Sequence, residues 1–174
     1  MTNNKEAQEE IRGWFAGRIP EGWFTEDPEI TVDRDEILVV GRIEPPEIEK
    51  NASEEAKREA ELGRIARFRE ETRDKRIGVA LGAERRFRTK VSWGAECGDT
   101  RRLFTTLSVP VMTRLRMPER AVLDTLVDAG VARSRSHALA WCVRLVARHQ
   151  GEWLEELRSA FSEVERVRAE GPSL

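Results

Sequence analysis

The sequence predicts an α+β protein, mostly helical, with a small helix–hairpin–helix part at the N-terminus. Near the C-terminus it predicts one strand followed by two helices that act as a dimer. Three observations carry this expectation. Alternation of apolar and polar residues is clearest in two short regions, 30–43 and 109–117. Longer stretches repeat apolar residues every three or four positions, as amphipathic helices do. Charge is also divided along the chain. Within a net charge of −2, residues 1–63 carry 8 basic and 17 acidic side chains, 64–90 carry 10 and 4, 101–150 carry 9 and 3, and 151–174 carry 3 and 6. Two basic stretches are hidden in a near-neutral whole, so local charge is the better guide to a polyanionic partner.

Residues 4–16 read as a helix with Ile11, Trp14 and Phe15 on one face, stopped by Gly17 and Pro20. "EITVDRDEILVVGRI" alternates around a polar turn at 33–36 and suggests a hairpin of 30–32 with 37–43. "EPPEIEKNAS" is a linker, after which Ser53, with Glu54 and Glu55 behind it, starts a helix. That helix is expected to reach the upper eighties on an irregular stripe of Ile65, Phe68, Ile77, Leu81 and Phe87, weakened by Gly63, Gly78 and Gly82. "GWF" occurs at 13–15 and 22–24, too close for a structural repeat, and its aromatics are expected in the N-terminal core. Residues 91–108 form a glycine-bearing connection, with a short strand over 90–93.

From residue 109 the alternation places Val109, Val111, Thr113, Leu115 and Met117 on one face and Met112, Arg114 and Arg116 on the other. Pro110 is tolerated only near the start of a strand or on an edge. Pro118 suits the first turn of a helix over 118–129, whose stripe is Val122, Leu123, Leu126 and Val127, with Gly130 as its stop. Ser134 or Ser136 caps a second helix with Leu139, Trp141, Cys142, Leu145 and Val146 as its stripe. A third helix over 151–169 carries Trp153, Leu154, Leu157, Phe161 and Val164. The expected divisions are therefore 1–90, 91–108, 109–148 and 151–169. One strand and two helices leave a strand edge open, which calls for a second copy of the chain.

The stretch "VMTRLRMPERAVLDTLVDAGVARSRSHALAWCVRLV", with Arg-x-Arg before the proline and "SRS" at the entry to the second helix, resembles the ribbon-helix-helix repressors of the Arc and MetJ type. The resemblance covers about 109–148, a quarter of the chain. It implies a C-terminal ribbon-helix-helix module in which two strands pair across a homodimer and enter the major groove of double-stranded DNA. Met112, Arg114 and Arg116 would face the bases, and Arg133, Ser134, Arg135 and Ser136 would hold a phosphate. Two features depart from the family pattern: about a hundred residues precede the ribbon, and Met112 stands where a polar reader is expected.

Other function classes are weighed against this regulator. A helix-turn-helix fits the two-helix shape, but its recognition helix would be apolar along most of its length. A dimeric scaffold or antitoxin-like protein is the second alternative, with the N-terminal part as a site for a protein partner. Nothing points to an enzyme, a metal or a cofactor: no glycine-rich phosphate loop occurs, and Cys97 and Cys142 lack metal-ligand spacing. The only histidines are His137 and His149, neither near Cys97 in sequence. The basic residues of "RIARFREETRDKR" and "ERRFRTK" would either add phosphate contacts or pair with the acidic first segment. No membrane span or signal peptide is read, so the expected location is cytoplasmic and nucleoid-associated.

Overall fold

The computed structural model describes residues 3–49 and 51–170. The chain divides into two compact units, one over Asn3–Pro110 and one beginning at Val111. In the first unit α1 (Asn3–Ala16) precedes a hairpin of β1 (Glu29–Val32) and β2 (Glu36–Arg42). Helices α2 (Glu54–Glu71) and α3 (Arg73–Phe87) follow, then β3 (Lys90–Cys97) and β4 (Thr100–Leu103). The strands form one sheet in the order β1-β2-β3-β4. Both outer pairs are antiparallel, whereas β2 and β3 run parallel, with Glu36 opposite Lys90 and Arg42 opposite Glu96. A parallel pair needs a crossover, which α2 and α3 supply.

Local chemistry sets the turns. Asp33 Oδ1 accepts from the backbone N–H groups of Asp35 (2.8 Å) and Glu36 (2.7 Å), which closes the β1–β2 turn and holds its carboxyl below the usual range. One sheet face carries the core. Ile37, Val39 and Trp93 pack with Ile11 and Phe15 of α1 and Ala83 of α3. Beside them Ile43, Ala95 and Cys97 pack with Ile65 and Phe68 of α2. Both "GWF" segments contribute: Phe15 meets Trp93 edge-on at 6.1 Å, and Trp23 meets Phe68 at 5.8 Å. Arg101 of β4 bonds both Glu29 (2.8 Å) and Glu96 (2.6 Å), and Arg42 reaches Glu96 at 3.3 Å, so these charges pair within the unit.

The helix expected from residue 53 to the upper eighties is two helices, and the break falls at Thr72 rather than at one of the glycines expected to weaken it. Thr72 Oγ1 donates to Phe68 O (2.6 Å) and accepts from Arg76 Nε (2.9 Å), while Arg76 Nη2 donates to Arg69 O (2.6 Å). Arg76, only 6% exposed, lies over the Phe104 ring at 4.8 Å. Its charge is placed against the carbonyl end of α2, the negative pole of that helix. Burial first, then Arg69 and Arg73, push its pKa down.

The C-terminal unit contains α4 (Met117–Asp128), α5 (Arg135–His149) and α6 (Gly151–Glu170). Here the sequence expectation is corrected. Among the described residues all four strands lie before Phe104, and residues 105–116 are irregular and join no sheet. The strand expected over 109–117, and with it the C-terminal ribbon-helix-helix module, is replaced by a central four-stranded sheet followed by helices. The stretch expected to be a connection, 91–108, supplies β3 and β4 instead. Alternation marks which side chains share a face, but it does not supply the neighbouring strand that a ladder requires. Among the described residues, no helix is long and apolar enough to cross a membrane.

Candidate nucleic-acid interface

The C-terminal unit is organised around Leu123, Ala132 and Ala138, with Leu115, Leu126 and Cys142 packed against them. Leu115 anchors the segment before α4 to this cluster. Leu115 is half-buried, whereas Arg114 and Arg116 on either side of it are exposed. Met112 is 99% exposed. The other half of the alternation is also uncovered: Val111 is 86% and Met117 73% exposed. Arg116 is the extended residue that precedes α4 and caps it without a side-chain bond, which leaves the helix entry to Pro118 in the first turn.

Arg120 belongs with this pair and was not picked out from the sequence. Its backbone N–H donates to Arg116 O (3.0 Å), and its Nη1 donates to Leu115 O (2.8 Å). The available signal was its place in the first turn after Pro118, close in sequence to Arg116. Arg114, Arg116 and Arg120 thus flank Leu115, the residue of 114–116 that is held against the cluster.

Of the four residues expected at a phosphate, two are engaged within the unit. Ser134 Oγ accepts from His137 N–H (3.2 Å) and caps α5. Arg135 forks onto Asp124 of α4, with Nε at 2.6 Å and Nη2 at 2.7 Å from its oxygens. Arg133 and Ser136 are exposed, and Arg133 N–H donates to His137 Nδ1 at 3.3 Å. The turn before α5 depends on Gly130, whose φ of +73° suits glycine, and Ala132 N–H returns to Leu126 O at 3.0 Å.

The hydrogen bond from Arg135, then its charge, holds the Asp124 carboxyl below the ordinary carboxylate range. A depressed folded-state pKa means this link contributes above the unfolded pKa and is lost as pH falls through the folded one. Asp124→Ala should therefore speed amide hydrogen exchange in α4 and α5 at neutral pH. The excess over wild type should shrink at acid pH, where wild-type Asp124 is itself protonated. Hydrogen exchange at matched pH values checks this, and an excess independent of pH would rule out the ion pair as its cause.

The outward face of α5 carries Ser136, Ala140, Val143 and Ala147, all exposed. Arg144 and Arg148 are also exposed on α5, while the centre of its outward face offers little hydrogen-bonding capacity to base edges. In the N-terminal unit, much of the basic 64–90 stretch has carboxylate neighbours: Arg67 with Glu71 (3.9 Å), Arg86 with Glu10 (2.6 Å) and Lys90 with Glu84 (2.7 Å). A cleft of about 580 Å³ between α2 and the β3–β4 turn mixes Lys57, Arg58 and Arg102 with Glu54, Glu61 and Asp99. Cys97 is buried, and burial pushes its thiol pKa up, away from nucleophilic use. Among the described residues, no cluster of histidine, cysteine and carboxylate side chains is arranged to hold a metal ion.

Residues 9–103 match the family described as Rv1265-like protein, N-terminal domain, and residues 116–168 match the Mb1296 C-terminal domain. Two relatives are the uncharacterized protein Mb1296 of Mycobacterium bovis (strain ATCC BAA-935 / AF2122/97) and the uncharacterized protein Rv1265 of Mycobacterium tuberculosis (strain ATCC 25618 / H37Rv). Each is 57% identical over 161 residues, covering 92% of this chain and 70% of the relative. No solved structure matches. No ribbon-helix-helix family is found, so the resemblance read from 109–148 is corrected to these two families. Arg-x-Arg, a proline and a serine-capped helix are local signals, and they fix a helix start and an exposed face without fixing a strand partner.

Proposed function

This chain belongs to the Rv1265-like family, joined to the Mb1296 C-terminal domain, and from that premise we propose that it is a dimeric DNA-binding protein of the regulator class. The observation that carries the reading is the exposed group of Arg114, Arg116 and Arg120 around the anchored Leu115. Arginine is the side chain that most often reads guanine in the major groove and also neutralises phosphate. The surrounding stretch 101–150 carries three times as many basic as acidic residues, 9 against 3. Arg133 and Ser136, beside the amide-bearing start of α5, add a second point for phosphate contact. A cytoplasmic location on the nucleoid goes with this reading.

The test is DNA binding by the full chain against fragments of its own upstream region, titrated with salt, beside an Arg114→Ala/Arg116→Ala variant. Each well-placed arginine–base pair is worth about 1–3 kcal/mol. The double variant should therefore lose selectivity by at least about tenfold. Each phosphate contact removed should lower the slope of log affinity against log salt by about 0.9. Both residues are exposed, so the variant should keep the wild-type circular dichroism. Selective binding that survives the double change would overturn the assignment. A second reading, a dimeric scaffold, is favoured by the uncovered Val111 and Met117. A chain that self-associates but binds none of the fragments is that scaffold.

A further inference from the structure

We propose that α5 and α6 form a parallel two-stranded coiled coil with the same helices of a second copy of this chain. This inference rests on the dimer of the preceding reading and names its interface. The observation is a stripe running through both helices. It begins at Ala140 and continues through Val143 and Ala147, all exposed on the outer side of α5. In α6 it continues through Leu154, Leu157, Phe161 and Val164, of which all but the half-buried Leu154 are exposed. With Gln150 between them, the steps alternate four and three, the 3.5-residue period that keeps a seam facing a neighbouring helix.

The helices are close to continuous. Gln150 alone departs from helical geometry, at φ −123° and ψ 26°. The hydrogen-bond ladder crosses it, from Gln150 N–H to Val146 O (2.8 Å) and from Leu154 N–H to Gln150 O (3.0 Å). The opposite side of α5 is already occupied, since Ala138, Leu139 and Cys142 belong to the cluster shared with α4. What remains uncovered is the stripe. The ion pairs of α6 close within the helix: Arg158 with Glu155 (2.9 Å), and Arg166 with Glu163 (2.6 Å) and with Glu170. None of these residues occupies a stripe position, so a partner helix on the α6 half meets apolar side chains rather than these charges.

Identity of the partner follows from period and area. A stripe with a 3.5-residue repeat is matched by another of the same repeat, and an identical chain supplies one in register. The exposed parts of Val143, Leu157, Phe161 and Val164 on the stripe, with Val146, Trp153 and Val167 at its edges, offer roughly 700 Å², close to what each partner buries in a stable standard-sized interface. Small residues in the α5 half let two backbones approach closely, and the bulk of Leu157 and Phe161 fills the α6 half. A parallel arrangement has its two-fold axis along the seam, so both copies of the arginine segment lie at the same height along it. A two-fold DNA reader requires both segments to face one duplex.

Two variants test this in the full chain. Leu157→Asp with Phe161→Asp, measured by analytical ultracentrifugation, should change a dimer to a monomer. The folded N-terminal unit, monitored by circular dichroism, should be retained. Leu157→Cys under mild oxidation should form a covalent dimer more readily than wild type, because a parallel seam places the two copies of this position opposite each other. Ser162→Cys, off the stripe, should not. A monomeric wild type, a dimer that survives the double aspartate change, or failure of Leu157→Cys to link would each overturn the proposal. Arg114→Ala/Arg116→Ala should leave the dimer intact. A seam confirmed without DNA binding therefore separates this inference from the reading beneath it.

Discussion

Phe15→Ala should destabilise the N-terminal unit by about 3–5 kcal/mol, the range for emptying a fully buried aromatic site. Phe15 is 0% exposed at the centre of the cluster joining α1 to the sheet. Its ring stands edge-on to Trp14 at 5.1 Å and to Trp93 at 6.1 Å, so truncation removes both aromatic contacts as well as the buried area. Those neighbours are themselves large and held by α1 and β3, which limits how far the cavity can collapse. Typical domains are stable by only about 5–15 kcal/mol, so this one change consumes a large share of the total. Urea denaturation followed by tryptophan fluorescence reads it well, since Trp14, Trp23 and Trp93, three of the five tryptophans, lie in this unit. Phe15→Leu, which refills most of the volume, should cost clearly less. Equal losses from the two variants would mean that the aromatic contacts, not the volume, dominate.

Gly41→Val is expected to have a comparable effect through overcrowding. A Cβ at residue 41 would lie 2.2 Å from Cδ1 of Phe24, inside van der Waals contact. The ring cannot easily retreat. Its loop is tied to β2 by Thr25 N–H donating to Arg42 O at 2.8 Å, and its other side packs on Phe68 at 5.7 Å. Overpacking alone costs about 1–3 kcal/mol. Expelling Phe24 would add the loss of its own buried area, for a total of about 3–5 kcal/mol. The companion change Phe24→Ala in the Gly41→Val background decides the cause. If crowding is responsible, the pair costs less than the sum of the single changes, whereas strict additivity would point elsewhere.

The legible parts of the fold were those governed by local rules. The polar turn at Asp33 and the alternation on either side of it pointed to the hairpin now seen as β1 and β2. Ser53 stood out as a cap, and Ser134 as one of two candidates with Ser136, because an oxygen-bearing side chain can accept from a first-turn amide, as Ser53 and Ser134 do at 3.2 Å. Less was legible where distant residues decide. β3 was read only as a short strand inside a connection, because its burial depends on pairing with β2, far away in sequence. The break at Thr72 escaped notice because Arg76, which fixes it, looked like one more surface cation among many. In the candidate interface, the exposure of Arg114 and Arg116 followed from alternation, whereas the commitment of Arg135 to Asp124 needed the packing of α4 against α5. The ribbon was the clearest misreading, since a partner strand was inferred from an edge alone.

The parallel pairing of β2 with β3 has a consequence for how the chain is made. Glu36 meets Lys90 in register, so when β2 leaves the ribosome its inner edge has no neighbour until both crossover helices and β3 have followed. At about 5–20 residues per second, that edge stays open for several seconds of synthesis. It carries Ile37, Val39 and Val40, a short β-branched run of the kind that recruits strands from other chains. Nascent N-terminal fragments ending before residue 90 should therefore be the aggregation-prone species, and yield during expression should depend on how quickly β3 is delivered.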